Sequence, residues 1–116
     1  MNIDQLYTVK DHEEGAEMQI KDKTGNLVDM YLTVVGLDSK VWRRFLSKSN
    51  RLALKGDDDV DVKLFTDSTL DWRGFEENGK PLNFSKEKVF QLYKNAPYIM
   101  NQVDAFIGNR KNFIKD

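Results

Sequence analysis

The chain has no cysteine. Disulfides, thiol chemistry and cysteine-ligated zinc are therefore excluded. It has one histidine, His12, so no histidine cluster can hold a metal ion. Charge of one sign is also missing: 18 basic residues oppose 19 acidic ones, for a net charge of -1. Such a balance gives no global attraction to nucleic acid or to anionic lipid. No apolar run exceeds a few residues, so no membrane-spanning helix is expected. The first residues, M-N-I-D-Q-L-Y, lack the basic and then apolar order of a signal peptide. No repeat occurs at periods of 20–50 residues.

What is present suits a small globular unit. The 116 residues are 40% hydrophobic and 32% charged. A chain of this length buries roughly 65% of its unfolded surface, enough for a core without staples. One domain over residues 1–116 is expected, β-rich over 1–37, helical over 38–109, with a short tail at 110–116.

In A-E-M-Q-I-K-D (residues 16–22), Met18 and Ile20 alternate with polar neighbours at the strand period. Lys23, Thr24, Gly25 and Asn26 make a turn. A second strand over 27–35 places Met30, Leu32 and Val34 on one face and Tyr31, Thr33 and Val35 on the other. Both faces are apolar enough for a central strand. Ile3, Leu6, Tyr7 and Val9 suggest a further strand, and residues 11–15 read as a polar loop that leaves His12 solvated.

Asp38 or Ser39 can cap a first helix running to about Lys55. Val41, Trp42, Phe45, Leu46, Ser49, Leu52 and Ala53 share its apolar face. Its other face carries Lys40, Arg43, Arg44, Lys48, Arg51 and Lys55, with no acid, and Gly56 suits the position after its end. Asp57, Asp58 and Asp59 oppose the dipole of a second helix reaching about Leu70, with Val60, Leu64, Phe65 and Leu70 as core contacts. Residues 72–84 read as irregular around the Asn78-Gly79 turn. Ser85 caps a third helix with Val89, Phe90 and Tyr93 inward. Pro97 opens a fourth, striped by Ile99, Met100, Val103, Phe106 and Ile107 and ended by Gly108. Strands first and helices after predict an α+β fold: a small N-terminal antiparallel sheet or hairpin, then about four helices.

Several motifs reduce to structure. G-F-E-E-N-G-K-P (residues 74–81) matches the opening of a phosphate-binding P-loop. Pro81, however, stands where the magnesium-binding hydroxyl is required, and Glu76 and Glu77 would repel a phosphate. The run D-D-D-V-D resembles half a calcium loop, but Val62 and Ser68 occupy the places of the required Gly and Glu. No Ser/His/Asp set or carboxylate pair stands out, so neither an enzyme nor a cofactor site is expected. The basic helix face invites phosphate contacts. Residues 1–38, with eight acids and three bases, offer it an internal or intersubunit partner instead, and nucleic-acid binding is not expected. Arg43, Arg44, Lys48 and Arg51 are accordingly candidates for self-association. Trp72, Phe75 and Phe84 flank a turn, and Phe113 lies in the tail. They either fold back over the core or anchor a protein partner.

The order V-V-G-L-D-S, D-W-R-G-F-E-E-N-G-K-P-L-N-F-S, N-A-P-Y-I-M-N-Q-V-D and K-N-F resembles the tail assembly chaperones of long-tailed bacteriophages over residues 28–113. The resemblance implies a non-enzymatic protein of the host cell cytoplasm, absent from the finished virion. It implies binding to the tape-measure protein, which stays soluble until tail-tube subunits polymerise around it, and self-association along that client. The tail-tube protein is a second implied partner. Trp72, Phe75, Phe84 and Phe113 are the expected surface or scaffold aromatics near the working face. In that family a longer product often arises by ribosomal frameshift near the end of the gene. Arg110-Lys111-Asn112 is compatible with a slippery heptamer if Lys111 is encoded AAA. A structural virion protein, such as a tail-completion or connector subunit, is the alternative.

Overall fold

In the computed structural model, the backbone is described for residues 1–54 and 59–115, and the side chains for 1–47 and 59–115. Among these residues the fold is mixed, with five α-helices and a three-stranded antiparallel sheet.

Residues Ile3–Leu6 form a short 3-10 turn rather than a strand, followed by helix α1, Val9–Glu14. Strand β1, Ala16–Lys21, buries Met18 and Ile20 as their alternation predicts. Strand β2, Leu27–Val34, is central, as expected from its two apolar faces. Leu32 and Val34 are fully buried, while Tyr31 and Thr33 are half-buried.

Helix α2, Lys40–Leu54, follows. Among its described side chains Trp42 is the buried one, and it meets Phe65 edge-on at 5.6 Å. Leu46, expected inside, is 60% exposed. Ser49, Leu52, Ala53, Gly56, Asp57 and Asp58 lie outside the described residues or side chains.

Helix α3, Val60–Ser68, ends two residues earlier than expected, and β3, Thr69–Arg73, follows without a loop. This strand pairs with β2, so the sheet order is β1-β2-β3 and the sheet is not confined to the N-terminal part. A register shift opposite Thr33/Val34 breaks the pleat. Thr69 and Trp72 therefore point inward with two exposed residues between them, and Leu70 turns out to be 43% exposed.

Strands β4, Glu76–Glu77, and β5, Lys80–Pro81, form a small hairpin in the stretch read as irregular. Asn78 and Gly79 both take positive φ, as a two-residue hairpin turn of mirror-image type requires. Helix α4, Lys86–Asn95, is capped by Ser85, whose hydroxyl accepts from Lys88 N at 3.1 Å. Helix α5, Pro97–Ile107, buries Ile99, Val103 and Ile107. A 3-10 turn over Arg110–Phe113 completes the fold.

The core lies where α3, α4 and α5 meet the inner face of the sheet. At its centre Tyr93 is fully buried. The Thr69 hydroxyl donates to Phe65 O at 2.8 Å, which leaves its oxygen to accept the Tyr93 proton at 2.7 Å. Burial raises the Tyr93 phenol far above its ordinary pKa, with the Thr69 hydrogen bond acting the other way. Gln102 of α5 clasps the end of β1, accepting from Lys21 N and donating to Lys21 O, both at 2.8 Å. Arg73 reaches across the sheet to Glu17 through two 2.8 Å hydrogen bonds and covers the Tyr31 ring at 3.7 Å.

Lys86 caps the carbonyl end of α3. Its ammonium donates to Thr66 O at 3.1 Å and Thr69 O at 2.6 Å. Burial lowers its pKa, and Asp67 partly restores it. Lys86→Met keeps the stem but strands these carbonyls. A loss of about 1–2 kcal/mol is expected, read as a lower urea midpoint with an unchanged slope.

Candidate interaction surface

Three of the four singled-out aromatics form one cluster. Trp72, on β3, stacks on Phe75 with ring centres 4.2 Å apart and meets Phe84 edge-on at 5.4 Å. Its indole N–H donates to Leu82 O at 2.9 Å. Leu82 N in turn donates to Phe75 O at 2.8 Å. The cluster thus closes the base of the hairpin. Trp72 and Phe75 are buried and Phe84 is half-buried, so they are scaffold rather than surface. Two aromatic faces and one polar indole edge are all satisfied within the chain, which leaves little for a partner to take.

Phe113 belongs to a second cluster and is also core, at 1% exposure. It stacks on His12 at 4.9 Å and meets Phe106 edge-on at 5.6 Å. His12 was expected in a solvated loop, but it is 2% exposed on α1. The sequence signal for that helix is T-V-K-D, a Ser/Thr-x-x-Asp/Glu helix start. Thr8 does not cap the helix, however; its hydroxyl donates to Asp38 Oδ2 at 2.6 Å.

Asp38 is the hub of this second cluster. Its backbone N–H donates to His12 Nδ1 at 3.0 Å, so Nδ1 carries no proton there. Its carboxylate stands 3.6 Å from His12 Nε2 and accepts from Arg110 Nε at 3.2 Å and Nη2 at 3.0 Å. Gly36 N donates to His12 O at 3.0 Å, and a side chain at Gly36 would collide with the imidazole. Glu13 accepts from Lys40 N at the start of α2, and Glu14 pairs with Lys115 at 3.1 Å.

The Arg110 hydrogen bonds, then that of Thr8, hold the Asp38 carboxyl below its ordinary value against the opposing effect of burial. A depressed folded-state pKa gives stability that is complete above the unfolded value, near 3.9, and is lost as pH falls through the folded one. Asp38→Asn is therefore expected to flatten the acid limb of a stability–pH curve below about pH 4, with wild type and variant converging at the acid end.

On α2, Arg43 and Arg44 are exposed and have no side-chain partner among the described residues. The Lys48 and Arg51 side chains lie outside the described residues. Exposed apolar side chains are scattered at Leu27, Leu46, Leu70 and Tyr98 and gather on the N-terminal segment. Ile3, Leu6, Tyr7 and Val9 are exposed, and the 3-10 turn over Ile3–Leu6 buries nothing. Their exposure was hidden in the sequence, where the same residues read as a strand. Ile114, beside the Lys115–Glu14 pair, extends this character at the other end of the chain.

Among the described residues, no group of three or more His, Asp or Glu could hold a metal ion, and no helix is long and apolar enough to cross a membrane. Comparison with protein families, with curated proteins and with solved structures finds no match for the chain.

Proposed function

We propose that this chain is a phage tail assembly chaperone that binds the tape-measure protein, keeps it soluble and promotes tail-tube assembly without catalysis. The motif order over residues 28–113 supplies the reading. The observation that supports it most is the exposed apolar N-terminal segment, with Leu6 and Tyr7 at 65% and 67% exposure on a turn that buries nothing. A holdase needs apolar surface that a client's helical stripe can cover. Arg43 and Arg44 on α2, exposed and without a side-chain partner among the described residues, suit contacts between copies, and several copies along one long client multiply weak contacts. The protein acts in the host cytoplasm and is not retained in the mature virion. A tail-completion or connector subunit is the alternative reading.

Immobilised tape-measure fragments test the binding. The wild-type chain is expected to be retained, and Leu6→Glu with Tyr7→Glu is expected to weaken retention at least tenfold while leaving the fold intact. Equal retention of that variant would remove the N-terminal segment from the site. No retention of either would remove the client. Mass spectrometry of purified particles separates the alternative, because a virion subunit is present there and a chaperone is not.

A further inference from the structure

We infer that the C-terminal residues 109–115 form a releasable strap, coupled through Asp38 to the N-terminal helix α1, and that its release uncovers Phe113. Asp38 is the shared anchor. Its Oδ2 takes the Thr8 hydroxyl before α1, while the Arg110 guanidinium at the start of the strap donates to both Oδ1 and Oδ2. The Asp38 N–H also holds the His12 ring on which Phe113 lies. Loosening either terminal segment therefore removes part of what positions the other.

The strap is lightly held. Phe113 is its one buried side chain. The remaining fixings among the described residues are Asn109 N and Asn112 Nδ2 donating to Phe106 O at 3.3 and 2.9 Å, the Arg110–Asp38 pair and the Lys115–Glu14 pair. The Arg110 side chain is 61% exposed, and exposed ion pairs contribute little. Elements with few buried contacts and exposed hydrogen bonds open first. On opening, Phe113 would add to the apolar side chains already exposed at Ile114 and on the N-terminal segment. That use as client surface rests on the chaperone reading; the coupling itself does not.

Hydrogen exchange on the full chain without client tests the coupling, which must be reciprocal. Arg110→Met removes the guanidinium from the strap. It should speed exchange at Ile114 N and, across the hub, at His12 N, Gly15 N and Gly36 N, by about two- to fivefold, with the amides of α5 and the sheet unchanged. Thr8→Val, at the other end, should speed Asn112 N and Ile114 N. Both variants should increase binding of the apolar dye ANS. Faster exchange confined to the mutated segment would overturn the coupling, and so would equal acceleration throughout the chain. Faster exchange without added dye binding would overturn the uncovering of Phe113. Failure to bind tape-measure fragments, with the exchange pattern intact, would count against the chaperone reading alone.

Discussion

Trp72→Ala is expected to cost about 3–5 kcal/mol of folding stability, the range for truncating a buried aromatic. The position carries more than its own area. Trp72 packs opposite Leu32 in the sheet, stacks on Phe75, meets Phe84 and donates to Leu82 O. Removing it leaves a cavity at the root of the β4–β5 hairpin and strands a carbonyl beside it. Urea unfolding should show the midpoint fall accordingly. Trp72→Phe separates the two effects: it keeps most of the ring burial and loses the indole donor, so a loss of about 1–2 kcal/mol is expected. If Trp72→Ala behaved like a surface change, within about 0.5 kcal/mol, the scaffold role of this cluster would be wrong.

Gly15→Ala is the second large effect. Gly15 has φ +83° and ψ 178°, a region open in practice to glycine alone. A Cβ there would stand 2.6 Å from Val34 O, in the backbone of the central strand. Backbone strain contributes about 1–3 kcal/mol, and overpacking against an atom that cannot turn aside contributes a similar amount. A summed loss of about 3 kcal/mol or more is expected, with a sharp fall in the thermal midpoint. Gly25→Ala is the control. Its φ is also positive, but nothing lies within 4 Å of the added carbon, so it should lose only about 1–2 kcal/mol of turn strain.

These two sites mark where the sequence was legible and where it was not. Period-2 alternation around Met18, Ile20, Leu32 and Val34 located β1 and β2, and helical spacing with Ser85 and Pro97 located α4 and α5. These elements bury one regular face, so their pattern survives in the residue order. Strand β3 did not show because its register shift replaces alternation with two inward residues three apart. Helix α1 did not show because its buried residue is a histidine, whose partners Asp38 and Phe113 are 26 and 101 residues away in sequence. The aromatics were singled out correctly as a group needing explanation, yet tertiary packing turned Trp72, Phe75 and Phe113 inward. Ile3, Leu6, Tyr7 and Val9 were visible as apolar, but not as surface.

Co-expression with a candidate client is the sharpest check of the proposed chaperone function. A candidate tape-measure protein from the same gene cluster is produced alone and together with this chain, and its soluble fraction is measured. The expected result is a client that precipitates alone and stays in solution as a complex that a tag on this chain recovers. A client whose solubility is the same with and without this chain, and which the tag does not recover, would contradict the chaperone function and favour a place for the protein in the particle itself.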